Sequence, residues 1–517
     1  MDAETQYRLG IRLWQEGARE AAIAAFAQAV AHAADHADAL NSFGNALLEV
    51  GRPQEAVAAL REVAALRPDH APARYNLGNA LLAAGEAEAA VAEFRAALRC
   101  DPEHAGAYNN LGNALRALGR VAEAAESYHA AVARLPNEAG AHNNLAAALL
   151  ALHRPAEAAA VLQAALRCDA NHADACNNLG GALLALDRPE AALPWFRQAA
   201  ALDAQLVQAR FGESLALLAL GRFREGWDAY ESRWLDPQFC KDERPYDRPL
   251  WRGLTEPLAG RTLLLHAEQG LGDTIQFARY APLLRRRGAR VVLEVQAPLV
   301  TLLRDLADEV IAAGADLPPY DAHCPLLSLP RAFATELPTV PADIPYLQAD
   351  PDVRARWRER LGARPRIGLV LSGSAEHPED ALRSIPAETL RPLLAQPGFD
   401  VHVVQTDLRD ADAAVLRAYP QVRIHAGQLG NFADTAGLLA ELDLLVSVDT
   451  SVAHLAGALG LPVWLLVQSN ADFRWLRVRT DSPWYPTMRL FRQATMLRWA
   501  PVVARVAQAL RARHGGG

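Results

Sequence analysis

Small and apolar positions return every 34 residues through the first half of the chain. Gly10, Gly44, Gly78, Gly112 and Gly180 share one phase, with Ala146 in the missing place. Gly17, Gly51, Gly85, Gly119 and Gly221 share a second, with His153 and Asp187 substituting. Ala22, Ala56, Ala90, Ala124, Ala158 and Ala192 form a third, where two helices approach closely. Pro68, Pro102 and Pro136 close successive units, because proline cannot continue a helix. The pattern predicts stacked helix pairs, each covering its neighbour's apolar face. From Arg261 the texture changes. RTLLLHA, RVVLEV, EVIAAG and YDAHCPLL read as short buried strands separated by helical segments such as TIQFARYAPLLRRRG. After LPTVPADIPYLQADPDV the alternation restarts with RIGLVLSG, FDVHVVQ, VRIHA, LDLLVSVD and PVWLLVQ. Such alternation predicts parallel α/β sheets, and two in tandem predict a cleft with ligands at the carboxyl ends of the strands.

The 34-residue period with this punctuation resembles the tetratricopeptide repeat over residues 3 to 235. That resemblance implies a superhelix with an extended concave surface. The first helix of each unit adds a column of amides. Asn76, Asn110, Asn144 and Asn178 hold one position, and Asn45, Asn79 and Asn113 stand three residues further on, on the same helix face. Amides both donate and accept, so the column could clamp an extended peptide by its backbone; the other reading is hydrogen bonding between neighbouring repeats. The pattern is similar to the asparagine ladder of protein O-GlcNAc transferases, which implies a polypeptide acceptor. The last unit, from about Val207, is degenerate. Trp227, Tyr230 and Trp234 recur there at helical spacing and read as a greasy cap docking the array onto the C-terminal half, with carbohydrate stacking as the alternative.

Composition narrows the function. At 517 residues and 51% hydrophobic content the chain should hold two or three soluble domains. A net charge of −8 without a Lys/Arg run argues against nucleic acid or an anionic membrane as partner. The first residues lack signal-peptide character, and the long apolar stretch near 442–467 is broken by Asp443, Asp449, His454 and Pro462, so no membrane span and a cytoplasmic location are expected. Cys100, Cys168, Cys176, Cys240 and Cys324 show no CxxC pairing and read as reduced thiols. Lys241 is the one lysine, and no GxxxxGK loop exists, so phosphate must meet arginine, backbone amides or helix ends.

Two motifs carry candidate chemistry. HAEQGLGDT follows a strand, but the third glycine of a dinucleotide fingerprint is replaced by Ile275, which argues against a nicotinamide enzyme. LDLLVSVDTSVAHLAGALG places Asp449, Thr450 and Ser451 at a strand end before a small-residue helix, whose N-terminus suits a diphosphate. DTSVAHLA, the GLGD turn, SGS with RSIP, and FRWL…DSPWYP together resemble the heptosyltransferase-like glycosyltransferases of family 9, over roughly residues 258 to 498. The resemblance implies an α + α/β protein: an N-terminal all-α tetratricopeptide superhelix (1–235), a linker (236–257), and a GT-B pair of Rossmann-like domains. Residues 258–347 would take the acceptor side, and 348–517 the nucleotide-sugar side with a terminal helix. It further implies inverting, metal-independent hexosyl or heptosyl transfer, without a cofactor, from a nucleotide-diphosphate sugar to a polypeptide or glycan acceptor. Asp273 would be the catalytic base, against the plainer reading of a helix N-cap. Ser372, Ser374, Arg383, Asp449, Thr450, Ser451 and His454 would hold the donor, and Gln269 and Gln276 the acceptor with Asn76, Asn110, Asn144 and Asn178. Arg383 would neutralise the leaving diphosphate; an exposed structural arginine is the alternative. The long repeat array departs from lipopolysaccharide heptosyltransferases and leaves two alternatives: a scaffold with a degenerate transferase domain, or a cell-envelope glycan transferase.

Overall fold

The computed structural model describes residues 2–237, 244–362, 365–377 and 380–514. Cys240 and Lys241 lie outside the described residues. The chain divides into two compact units, one of residues 1–183 with 198–204, the other of 184–197 with 205–517.

The first unit is all-helical. Leading helices run Ala3–Gln15, Ala37–Glu49, Ala71–Ala83, Ala105–Ala117 and Ala139–Ala151, so each begins 34 residues after the last (37 − 3, 71 − 37). Their partners run Arg19–His32, Pro53–Leu66, Ala87–Cys100, Val121–Arg134 and Pro155–Cys168. The sequence phases have distinct physical causes. Gly17, Gly51, Gly85 and Gly119 have φ between 72° and 81°, and His153 adopts φ 56° in the same place, the left-handed turn that ends each leading helix. Gly10, Gly44, Gly78 and Gly112 instead make room: an added Cβ would sit 2.5 to 2.6 Å from Phe26, Leu60, Phe94 and Tyr128. Gly112→Ala gains helix propensity worth about 1 kcal/mol, but overpacks the fully buried Tyr128 ring by about 1–3 kcal/mol. A net loss of about 1 kcal/mol is expected, read as a lowered urea midpoint at unchanged slope. A further recurrence caps the helices: His36, His70, His104 and His172 accept through Nδ1 from the backbone N–H three residues on, at 3.1 to 3.3 Å.

The second unit takes residues 184–197, then runs through the helices Val207–Ala219 and Phe223–Tyr230 and a 3₁₀ turn Glu231–Leu235. Trp227 is 1% exposed and meets Phe277 and Phe473 edge-on, at 6.0 and 5.3 Å, so the degenerate last helices share one core with the α/β region. The described part of the expected linker is packed as well: Trp251 is buried in that core, and Tyr246 lies against His266 and His323.

Two parallel sheets complete this unit. The first comprises β1 (Thr262–His266), β2 (Arg290–Val295), β3 (Glu309–Ala312) and β4 (Ala322–Pro325), in the order β3-β2-β1-β4. The second comprises β5 (Arg366–Val370), β6 (Asp400–Val403), β7 (Val422–Ile424), β8 (Leu444–Val448), β9 (Val463–Val467) and β10 (Met488–Arg492), in the order β10-β9-β8-β5-β6-β7. Every pair of neighbouring strands is parallel. In both sheets the chain builds outward from its first strand, then returns to that strand's other edge. The order therefore reverses between β1 and β4, and between β5 and β8, and ligands of such sheets bind outside the carboxyl ends at these points.

Candidate functional site

The loops leaving β1, β5 and β8 do meet in one cavity of about 900 Å³. Gln269 and Asp273 line it from the first sheet; Ser372, Ser374, Arg383, Asp449, Thr450, Ser451 and His454 line it from the second. Two motifs 176 residues apart (449 − 273) thus form one site. No group of three His, Cys, Asp or Glu side chains among the described residues could hold a metal ion.

On the first-sheet side, the turn opens the helix Leu271–Phe277 with Gly270 as N-cap. Asp273 is therefore the third helical residue rather than the cap, and its Oδ2 reaches back to accept the Gly270 N–H at 3.0 Å. Its other oxygen pairs with Arg474. Gly272 serves close approach, though to the opposite domain: an added Cβ would sit 3.0 Å from the His454 ring and 3.5 Å from Ser451 Cα. Gln269 donates to the Tyr230 hydroxyl at 3.1 Å. Gln276 is fully buried and accepts from Arg474 Nε at 2.6 Å, so the expected acceptor contact is a support beneath the site, turned inward on the apolar helix face.

Arg474 carries the centre of the site, and no spacing in the sequence marks it apart from its place in FRWL. It is 8% exposed, lies over the Phe473 ring, donates to Gln276 and Asp472, and pairs with Asp273. Burial works against its charge, and the Asp472 and Asp273 carboxylates outweigh burial, so its pKa is raised.

On the second-sheet side, Thr450 is the N-cap of the helix Ser451–Ala458 and makes no side-chain cap bond; Thr450, Ser451 and Val452 line the cavity, while the Ala453 N–H is taken by the Thr450 carbonyl at 3.0 Å. Arg383 ends the short helix Asp380–Arg383 instead of lying in a loop, lies near Asp380, and donates to the Asp449 carbonyl at 3.2 Å. Buried Asp380 also takes the Gly373 N–H, Ser384 and Arg409, which fixes this corner. His454 is buried, stacks on Trp475, and shares a hydrogen bond with the Tyr485 hydroxyl at 3.0 Å. Burial, with the Arg474 and Arg279 charges, pushes its pKa well below the ordinary value and keeps the ring neutral.

Asp449 accepts the Trp475 indole N–H at 2.7 Å. Burial and the neighbouring Asp472 charge raise its pKa from 3.8 to about 6. Because the folded value lies above the unfolded one, the fold favours the neutral carboxyl. That stability is complete below about 3.8 and lost as pH rises through about 6. Asp449→Asn keeps the acceptor for Trp475 and removes the charge. The variant should melt above the wild type at about pH 8 and lose that advantage at about pH 4, read by circular dichroism.

The asparagine column lies in the first unit and is tied across repeats. Asn76 donates to Asn41 at 2.8 Å, Asn144 to Asn109 at 2.9 Å and Asn178 to Asn143 at 2.8 Å. Asn110 donates to the Tyr75 hydroxyl and to Asn79. The partners 41, 75, 109 and 143 form their own register one repeat earlier. The amides are half-buried and bind each other, so the inter-repeat reading describes them in this structure.

Residues 41–105, 109–173 and 144–207 match the tetratricopeptide-repeat family. This region is a tetratricopeptide superhelix, and it gives the chain a protein-interaction scaffold. The chain is 30% identical over 325 residues to Protein FlbA of Caulobacter vibrioides, covering 57% of this chain and 53% of FlbA. It therefore spans about half the length of that curated relative. Among solved structures, YrrB, described as a tetratricopeptide-repeat protein with an unusual peptide-binding site, is 25% identical over 37% of this chain and 98% of its own, with a TM-score of 0.33. MamA from Desulfovibrio magneticus is 25% identical over 33% of this chain and 96% of its own, with a TM-score of 0.32. No helix among the described residues is long and apolar enough to cross a membrane.

Proposed function

We propose that the protein is a glycosyltransferase that moves a sugar from a nucleotide-diphosphate sugar to an acceptor recruited by the repeats, a polypeptide being the acceptor the repeats suit best. One observation carries this reading: the Asp273 carboxylate, Arg383 and Arg474, and a helix N-terminus without a side-chain cap bond converge in a cavity of about 900 Å³ at the switch points of two parallel sheets. The helix Ser451–Ala458, with Thr450 and Ser451, receives the diphosphate. Arg383 and Arg474 balance the charge that grows on it as the bond to the sugar breaks and the electron pair leaves with the phosphate. The acceptor oxygen attacks the anomeric carbon, and its proton passes to Asp273. For that transfer Asp273 must be released by Arg474, so an arriving diphosphate draws the guanidinium away and frees the base. His454, neutral, contributes a hydrogen bond rather than a charge.

The rival reading, a repeat scaffold with a degenerate transferase domain, draws on the same contact: both Asp273 oxygens are already engaged. A thermal screen of nucleoside diphosphates separates the two. A ligand at about 100 Kd adds about 2.7 kcal/mol to stability, a clear rise in Tm. Absence of stabilisation by every nucleoside diphosphate removes the transferase reading.

A further inference from the structure

Five of the seven repeat turns carry glycine at φ 72° to 81°, while His153 and Asp187 hold the same left-handed turn at φ 56°. Aspartate fits this conformation less well than glycine, so its presence at 187 has a separate cause. That cause lies on the loop between β9 and β10. Arg477 donates from Nε to the Asp187 carboxylate at 2.7 Å, from Nη2 to the Asp187 carbonyl at 2.6 Å, and from Nη1 to both Glu190 oxygens at 2.6 and 2.8 Å. Asp187 and Glu190 belong to the same compact unit as the loop. The next repeat turn, 34 residues on (221 − 187), meets the neighbouring residue: Leu476 is 8% exposed, and its Cδ2 lies 3.9 Å from where a Cβ would stand on Gly221. Residues 476 and 477 thus rest on two successive repeat turns. Between this grip and the cleft the backbone is strained. Leu476 sits at φ 51° and ψ −172°, a region open mainly to glycine, and a residue persists there only where its surroundings hold it. Arg477 holds one side. On the other, Trp475 donates its indole N–H to Asp449 at 2.7 Å, and Arg474 meets Gln276 at 2.6 Å and pairs with Asp273. Arg492 closes the arm from behind, donating to the carbonyls of Trp475 and Arg479.

We propose that Arg477 is a positioning residue for the cleft: its grip on the Asp187 turn holds the arm 472–479 so that Arg474 and Trp475 reach Asp273 and Asp449. Without the grip the strain at Leu476 relaxes, and the arm draws both side chains off their partners. The exception at Asp187 follows, because glycine there would leave Arg477 without its carboxylate. The consequence for diphosphate binding rests on the transferase reading; the placement of the arm does not.

The test reads the Trp475 indole N–H by NMR in the isotope-labelled, ligand-free full-length chain, with the signal assigned by its loss in Trp475→Phe. Arg477→Ala should move or broaden it. Asp187→Gly/Glu190→Gln cuts the grip from the other side and puts the usual glycine in the turn. It should move the signal likewise with the urea midpoint little changed, since ion pairs this exposed contribute little to stability. Whichever of adenosine, guanosine, uridine, cytidine or thymidine diphosphate binds the wild type in calorimetry should bind about fivefold more weakly to Arg477→Ala, the cost of ordering one loosened side chain on binding. In an Arg474→Met background the same change should cost nothing further, because the grip acts through Arg474. No binding of any of these diphosphates to the wild type removes the transferase reading alone, and the indole signal still decides the proposal. An indole signal unmoved in both grip variants, an affinity unchanged in Arg477→Ala, or an equal loss with Arg474 absent overturns it.

Discussion

Asp273→Ala is expected to slow sugar transfer by about 10²–10⁴-fold, the span of a lost general base, while nucleoside diphosphate affinity is kept or rises, because Arg474 no longer has to leave Asp273. The split arises from placement. Asp273 stands on the first-sheet side, whereas Arg383, Thr450 and Ser451 stand on the second. The carboxylate's second task complicates its removal. The Gly270 N–H loses its acceptor, yet that group is exposed at the turn and water can replace the carboxylate. Arg474 also loses one of its two carboxylate partners, so the loss in kcat should come with a lowered Tm. Asp273→Asn preserves the bond from Gly270 and cannot take a proton, so it should be as slow as alanine. A variant that turns over at the wild-type rate would dismiss Asp273 as the base. The asparagine pair of results guards against a merely structural role, because a cap would be rescued by the amide.

Arg474→Met should destabilise the fold by about 2–4 kcal/mol, read as a lowered urea midpoint. The substitution leaves Asp472 and Asp273 without their shared cation and Gln276 Oε1 without its donor. A fully buried pair would lose about 3–5 kcal/mol, and the partial exposure of the two carboxylates, 21% and 35%, reduces that figure. Arg474→Lys should recover only part of the loss, since one ammonium cannot span three acceptors held by a planar fork. Stability unchanged in Arg474→Met would show that the network carries no net energy.

The repeat region was readable because its constraints act at single, fixed positions. A left-handed turn admits Gly at Gly85, and a ring 2.6 Å from a would-be Cβ admits Gly at Gly78, so both phases stand out without any structure. Nine of the ten strands among the described residues were equally readable as apolar runs. The tenth, Met488–Arg492, has its apolar run broken by exposed Arg489 and half-buried Arg492, which an edge of the sheet admits. The site was legible where it lay just past strand ends, at Asp273 and Asp449. It was illegible at Arg474, whose partners Gln276 and Asp273 stand 198 and 201 residues away. Nothing periodic or local encodes such a pairing. Gln276 was misplaced for a related reason: a polar residue beside a turn reads as exposed unless its buried partner is known.

Calorimetric titration of the full-length chain with the nucleoside diphosphate that raises Tm most addresses the central claim, that the cleft between the two sheets holds a diphosphate. A single site is expected, at least about tenfold weaker in Arg383→Ala and not weakened in Asp273→Ala. Wild-type affinity in Arg383→Ala, or no heat of binding in the wild type, would contradict it.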